Sequence, residues 1–370
     1  MRLHVLSLPH TQTTSEYLTC AYTQKVVKFS RMMTRRGHEV ILYSGEFNEA
    51  ECSEHVELIS EEERAQWFGY RFDTVLTPLK WDAGEPYWQL FNERAVAELK
   101  PRIDREKDLL CLITGWPTKP VTDALGIDTD VRPMIACEWA VGYEGIFTEF
   151  CAFESSAWMH HVYGIKGWRN GRHYDTVIPN FFDPDEFYLA EKEDYLLYVG
   201  RLVERKGVVL AHKIAQRAGM KLVVAGPGGT SEGKGKVTAP EFTLEGDVEY
   251  VGEVGIEERA KLMAAARALL CPTLYIEPFG GVCVEAMMSG TPVITTDFGA
   301  FKETITVDVG RRFATLAEAD AAVAWVMNGA PSPENIRWAA VNRYSLDVVA
   351  PQFERWFGQL MGLWGVGFEA

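Results

Sequence analysis

Four charged side chains offer the clearest chemistry in this sequence: Arg201, Lys206, Glu277 and Glu285. Arg201 and Lys206 stand in "YVGRLVERKG" (198–207), where an apolar run ends at Gly200. A guanidinium grips phosphate through parallel N–H bonds and an ammonium meets it as a point charge, so the pair suits a diphosphate. Glu277 and Glu285 lie eight positions apart in "EPFGGVCVEAMMSGTPVITTDFGAFKE" (277–303), astride Gly280 and Gly281. Glycines admit a ligand close to the backbone, and free N–H groups at a helix start attract anions. Glu285, five positions after Gly280, falls about one turn into the expected helix, where its carboxylate can accept the hydroxyls of a ribose. Glu277, ahead of the glycines, can face a sugar hydroxyl. Each residue also has a plainer reading. Arg201 and Lys206 would make a solvated basic turn. Glu285 would simply favour the helix dipole, and Glu277 would be a surface carboxylate.

The elements that must position these groups follow from periodicity. "RLHVLSL" (2–8) reads as a strand, and "PHTQTTSEY" (9–17) follows it. Tyr22, Val26, Phe29 and Met33 recur at helical spacing, which predicts a helix from about Tyr17 to Arg36, capped by Ser15 or Thr14 and ended by Gly37. "EVILYSG" (39–45) completes a β-α-β unit. "PYWQLFNERAVAELKPRI" and "FESSAWMHHVYG" read as helices, "LLCLIT" (109–114) and "RPMIAC" (132–137) as strands. "TVIPNFFDPDEFYLAEKED" (176–194) has two prolines and no sustained period, and it reads as a linker. A second series starts at "YLLYVG" (195–200) and alternates short apolar strands with helices as far as "PVITT". Ligands of such sheets bind beyond the carboxyl ends of the strands, where Arg201 and Lys206 fall. The expected fold class is therefore α/β, with two Rossmann-like domains built on parallel sheets.

At 370 residues, two domains are the default, and 47% hydrophobic residues mark a globular chain. No run of eighteen apolar residues and no leader are seen, so a soluble, cytoplasmic protein is expected. Seven cysteines without a C-x-x-C pair suggest reduced thiols rather than zinc ligands. A net charge of −15 opposes nucleic acid and anionic membranes. One local exception is the run Lys25, Lys28, Arg31, Arg35 and Arg36 on the first helix, which reads as a solvated face or as a surface for a membrane or polyanion.

Taken together, "YVGRL-x3-KG", "EPFG-x4-EA", "SGTPVI" and "GAFKE", in this order after a two-domain α/β pattern, resemble glycosyltransferase family 4, of the GT-B architecture. The resemblance is strongest over 177–305, where "VIPNFFD" (177–183) stands for the family's linker phrase. It implies two sheets facing across a cleft, and domains at 1–180 and 181–346, with a helix at about 347–370 returning to the first. It implies a retaining transfer from a nucleotide-sugar, UDP-sugar first and GDP- or ADP-sugar as alternatives, with no obligatory metal. Arg201, Lys206 and Glu277 take the catalytic roles. Gly200, Gly226, Pro278, Phe279, Gly280, Gly281, Val282 and Glu285 line the donor site, with Gly228 nearby.

The N-terminal half departs from the family. Its usual glycine-rich turn is replaced by "PHTQTTSEY", and a usual histidine is replaced by Glu138 in "IACEWAVGYEG" (135–145). His10, Thr11, Thr13, Thr14 and Glu138 are thus the acceptor-side candidates. Their plainer readings are capping by Thr14 or Ser15, a packed His10, and a salt-bridged loop carboxylate at Glu138. His160 and His161 read as core or surface histidines. "GPGGTSEGKGK" (226–236) mimics a P-loop but has Gly235 where Ser or Thr is needed. "DTD" (128–130) is the one Asp-x-Asp pair considered for a metal. The acceptor expected is a glycan, a lipid-linked sugar or a small metabolite. The alternatives are a hydroxymethylated base of phage-type DNA and a non-catalytic accessory subunit.

Overall fold

Runs of apolar residues alternate with amphipathic ones along the chain, and the computed structural model turns them into strands and helices in that order. The structure describes residues 1–17, 20–70, 78–126, 135–231, 233 and 235–366, with side chains as far as 362. The elements are β1 (Arg2–Leu6), α1 (Ala21–Arg35), β2 (Glu39–Gly45), β3 (Glu54–Ile59), α2 (Glu61–Phe68), α3 (Pro86–Leu99), β4 (Asp108–Leu112), α4 (Lys119–Leu125), β5 (Ile135–Val141), β6 (Phe150–Phe153), α5 (Ser156–Lys166) and β7 (Thr176–Val177). There follow β8 (Tyr195–Val199), α6 (Val208–Ala218), β9 (Lys221–Ala225), β10 (Thr230–Ser231), β11 (Lys236–Ala239), β12 (Phe242–Glu245), β13 (Val248–Gly252), α7 (Ile256–Ala265) and β14 (Ala268–Cys271). The last are α8 (Gly281–Met288), β15 (Val293–Thr296), α9 (Phe301–Thr304), β16 (Gly310–Phe313), α10 (Leu316–Gly329), α11 (Pro333–Tyr344) and α12 (Leu346–Val366). Among the described residues no helix is long and apolar enough to cross a membrane.

Two units divide the chain. Unit 1 holds Met1–Glu154, Met159–Phe181 and Val349–Ala370; unit 2 holds Ser155–Trp158 and Phe182–Val348.

In unit 1 the described strands form a parallel sheet in the order β3-β2-β1-β4-β5-β6-β7. The order runs one way from β1 and the other way from β4, so it reverses between them. The apolar stripe of α1 (Val26, Phe29, Met33) is buried as its spacing requires. Phe29 stacks on Trp139 at 4.1 Å between ring centres, and Phe181, Phe353 and Phe357 close around it. Residues of α12 thus complete this core, and Arg36 forks onto Glu354 at 3.0 and 2.8 Å.

The predicted start of α1 is corrected. Residues 15–17 form a short 3-10 turn, and α1 begins at Ala21 behind Cys20, so neither Thr14 nor Ser15 caps it. Its basic face is matched by acids: Lys25 pairs with Glu154, Arg35 with Glu51 and Arg36 with Glu354. The segment β3–α2, unread in the sequence, opens with a reciprocal cap, in which Ser60 Oγ accepts from the Glu63 N–H and Glu63 Oε2 accepts from the Ser60 N–H.

In unit 2 the main sheet is parallel in the order β13-β9-β8-β14-β15-β16. Its inner strands β9, β8, β14 and β15 are almost wholly buried, which is why they read as continuous apolar runs. Leu197, Leu269 and Val293 pack under α7, α8 and α11, while Leu196, Leu270 and Ile294 pack against α6 and α10. Each such side chain contributes about 1.5–3 kcal/mol on full burial. The stretch that mimicked a P-loop enters no helix. It runs into the antiparallel sheet β10-β11-β12, an element the sequence did not signal.

Candidate functional site

In unit 2 the strand order reverses between β8 and β14, the place where open α/β sheets leave a crevice for ligands. The segments after these two strands carry the charged groups singled out from the sequence.

After β8, the Gly200 N–H donates to Ala225 O at 2.9 Å and the Gly226 N–H to Gly252 O at 2.8 Å, which ties together the ends of three neighbouring strands. Gly226 has φ +131°, and a Cβ there would lie 2.1 Å from Gly200 O, so only glycine fits. Arg201 is exposed and makes no ion pair among the described residues. Lys206 ends a 3-10 turn (Glu204–Lys206), and its Nζ donates to Glu277 Oε2 at 2.8 Å. Burial alone would push the Lys206 ammonium down, but the Glu277 carboxylate and Tyr275 outweigh it and hold its pKa above the ordinary lysine value.

After β14, the Tyr275 hydroxyl donates to the same Glu277 Oε2 at 2.7 Å, and Lys206 Nζ lies 5.0 Å from the Tyr275 ring centre. Burial and the Glu277 charge push Tyr275 up to about 12. Gly280 caps α8 with φ +83°, and a Cβ there would stand 2.5 Å from Phe301 Cε1. In the first turn of α8 the Cys283 N–H donates to Gly280 O at 2.9 Å, and the Gly281 and Val282 N–H groups have no partner within the helix. Glu285 lies in α8 and meets Arg259 of α7, with Arg259 Nη2 donating to Oε1 at 3.3 Å.

The structure therefore brings Lys206 and Glu277 into contact and sets Arg201, Gly200, Gly226, Gly280, Gly281 and Glu285 on the segments around the same strand ends. Val282 is half-buried in the first turn of α8. Phe279 and Pro278 of the same segment are held differently. Phe279 is a core residue, its ring centre 6.4 Å from that of Phe182 and 5.6 Å from that of Tyr344. Pro278 contributes its carbonyl to Ser155 Oγ at 2.7 Å. Glu303 of "GAFKE" accepts the Ser156 and Ala157 N–H groups at 2.8 and 2.7 Å, capping the start of α5. Three neighbours were missed in the sequence: Tyr275, Arg205 (5.3 Å from the Tyr275 ring centre) and Arg259. For Arg205 and Tyr275 the signal was adjacency to Lys206 and Glu277; for Arg259 there was none.

The acceptor-side candidates lie in unit 1, on segments after β1 and in β5, and the structure packs them. His10 and Thr11, Thr13 and Thr14 are all buried. His10 Nε2 is 3.6 Å from Cys20 Sγ, and burial, with a smaller push from the Arg64 charge, holds its pKa down at about 3. Thr11 Oγ1 bonds Thr23 Oγ1 at 2.6 Å, and the Thr13 N–H donates to Phe47 O at 3.0 Å. Glu138 is corrected from a loop carboxylate with a cation to a sealed residue within β5. It accepts from Tyr143 Oη (3.0 Å), the Phe147 and Thr148 N–H groups (2.8 Å each) and Thr148 Oγ1 (3.0 Å). Burial pushes its pKa up, against those four bonds. Its lone pairs are spent on shaping the turn that follows. His160 is exposed, and His161 Nε2 meets Glu144 Oε1 at 3.0 Å. Asp128 and Asp130, and residues 132–134 of the expected strand, lie outside the described residues.

With this geometry in place, comparison with known proteins adds the following. Residues 181–341 match the family described as "Glycosyl transferases group 1". A glycosyltransferase of Methanocaldococcus jannaschii, MJ1607, itself uncharacterized, is 31% identical over 164 residues, covering 43% of this chain and 41% of that one. The chain spans about half the length, or less, of the curated relatives it matches first. Among solved structures, AviGT4, a glycosyltransferase involved in avilamycin A biosynthesis, superposes with a TM-score of 0.68 at 21% identity, over 98% of both chains. Anabaena Alr3699/HepE, solved with UDP and glucose, gives 0.60 at 16% identity, over 97% of this chain and 100% of that one. By fold, the chain is an α/β protein of the GT-B architecture that these glycosyltransferase structures share.

Proposed function

We infer that the chain is a nucleotide-sugar-dependent glycosyltransferase. The observation that carries this reading is the gathering of Arg201, Lys206, Glu277 and the start of α8 where the strand order of unit 2 reverses. The diphosphate lies against Arg201, Lys206 and the first N–H groups of α8. Glu285 holds the ribose and Glu277 a hydroxyl of the transferred sugar. In the reaction, an acceptor hydroxyl oxygen bonds to the anomeric carbon, the bond from that carbon to the diphosphate oxygen breaks, and the acceptor's hydroxyl proton passes to the departing diphosphate. The electron pair leaves with the diphosphate, and the two cations neutralise it; fixed charge of this kind is the largest single contribution in such sites. The same cations make a divalent metal dispensable in this reading.

The resemblance to family 4 supports retention of configuration, with residues 1–180 and 347–370 on the acceptor side and 181–346 on the donor side. The UDP and glucose bound in the Anabaena structure support UDP-sugar as donor, with GDP- and ADP-sugars as alternatives. A glycan, lipid-linked sugar or small metabolite is the acceptor class. Duplex DNA fits less well, since the net charge is −15 and the basic face of α1 is matched by acids. A cytoplasmic location is part of the same reading.

The test is a thermal-shift series with UDP, GDP and ADP, with chelator present, since a ligand of the native state raises the melting temperature. One of the three should raise it in the wild type, and that shift should shrink in Arg201→Ala. No shift with any of them, in a protein that melts cooperatively, removes the reading.

A further inference from the structure

Glu285 does not stand alone. Arg259, one turn into α7, turns its guanidinium onto it from 26 positions away: Nη2 donates to Oε1 at 3.3 Å, and Nε lies 3.0 Å from Oε2, off the hydrogen-bond axis. The side chains are 18% and 15% exposed, so the pair is largely shielded yet still open to a ligand. Both partners sit on helices rather than loops. Ala260 and Met263 of α7 share one core with Cys283, Val284 and Met287 of α8, so the backbones at each end of the pair are fixed by packing. A carboxylate offers about four lone-pair positions. The guanidinium faces one side of each oxygen and leaves the other sides for donors from a ligand. Two oxygens held at a fixed spacing, each with acceptor capacity left, match two adjacent hydroxyls.

We propose that Arg259 is a positioning residue that fixes the Glu285 carboxylate against the 2′ and 3′ hydroxyls of a nucleoside diphosphate, so that the site selects a vicinal diol. The proposal rests on the donor reading of unit 2 given above. It assigns Arg259 no contact with the diphosphate. Its removal therefore weakens nucleotides that carry the diol and leaves those without it unchanged.

The experiment is calorimetric binding of UDP and 2′,3′-dideoxy-UDP to the full chain, or of the GDP or ADP pair if that base binds more tightly. The proteins are wild type, Arg259→Lys, Arg259→Gln, Glu285→Gln and the double variant Arg259→Gln/Glu285→Gln. Hydrogen bonds to a charged group predict that wild type prefers the ribonucleotide by about tenfold or more. Arg259→Gln should lose most of that preference through weaker UDP binding alone. Arg259→Lys should keep part of it, and Arg259→Gln should add nothing once Glu285 is Gln. Equal weakening of both nucleotides by Arg259→Gln overturns the proposal, because Arg259 then acts as a general cation or a structural support; the donor reading survives that result. A wild type that binds no nucleoside diphosphate brings down the donor reading and this proposal with it. If Arg259→Gln does not fold, Arg259→Lys decides the matter, and an unchanged ribo-to-dideoxy ratio in that variant overturns it.

Discussion

Replacing Lys206 by Met probes the donor end of the site and its stability together. Methionine keeps an unbranched stem near the Tyr275 ring and removes the charge. Glu277 Oε2 then keeps the Tyr275 hydroxyl as a donor and loses the ammonium. Removing one partner of a fully buried ion pair costs about 3–5 kcal/mol, whereas exposed pairs are worth about 1 kcal/mol or less. The two side chains are 22% and 14% exposed, so the pair lies between these limits, and about 2 kcal/mol is expected from unit 2. Glu277→Gln leaves the ammonium without its carboxylate and should cost a similar amount. The double variant removes both charges and should cost less than the sum of the singles by about 1 kcal/mol. Urea unfolding, read by hydrogen exchange of the β8 and β14 amides, measures all three. In the same proteins, Lys206→Met should weaken nucleoside diphosphate binding. Glu277→Gln should spare it, because that change takes a negative charge from beside the phosphates. Strictly additive stabilities, together with unchanged nucleotide binding by Lys206→Met, would refute both the pairing and the diphosphate role.

Three further outcomes follow from the geometry. Arg201→Ala should change stability by less than about 0.5 kcal/mol, since the side chain is exposed, while lowering donor-dependent release of nucleoside diphosphate by about 100-fold or more; wild-type release rates would remove Arg201 from the site. Gly280→Ala puts a Cβ 2.5 Å from Phe301 at φ +83° and should cost about 2–4 kcal/mol in thermal or urea unfolding. His10 is held down at about 3 in the folded chain against an ordinary histidine value of 6.5 when unfolded, so the unfolded state binds more protons between these limits. Its contribution is complete above about pH 6.5 and is lost as pH falls, by about 2 kcal/mol at pH 5. The stability difference between wild type and His10→Gln should shrink by that amount from about pH 7.5 to pH 5, and a difference that does not vary with pH contradicts the buried neutral imidazole.

The placement of Lys206, Glu277 and Glu285 was legible because its signals are local. Apolar runs mark β8 and β14, Gly280 marks the turn into α8, and the charges sit within a few residues of both. Contacts made at a distance had no such mark. Arg259 reaches Glu285 across 26 positions, and nothing in "IEERAKLM" sets that arginine apart from a solvated helix residue. The stretch from His10 to Thr14 looked open because it is polar. It is buried, with Thr11 bonding Thr23, and Gln12 bonding Glu61 and the Phe47 N–H, all from other segments. The burial of Glu138 was hidden for the same reason, since Tyr143, Phe147 and Thr148, which donate to it, lie five to ten positions further along. The cap of α2 was a missed opportunity, because Ser60 and Glu63 have the spacing of a capping box in plain view.

The closure of the unit 1 core by α12 bears on how the protein is made. Arg36 and Glu354 are 318 positions apart, and Phe29 and Trp139 are covered by Phe353 from the same helix. Unit 2, by contrast, is complete once Val348 has been added. A chain emerging from the ribosome at about 5–20 residues per second usually folds its first domain first. Here the unit begun first is finished last: its aromatic core stays uncovered while the whole of unit 2 is synthesised. Such long-range closure is slow and exposed to aggregation. Emergence of the segment from Val349 to Phe357 is thus the event that ends the vulnerable period of unit 1, and a stop codon placed at Val349 should yield a chain with unit 2 folded and unit 1 open to proteolysis.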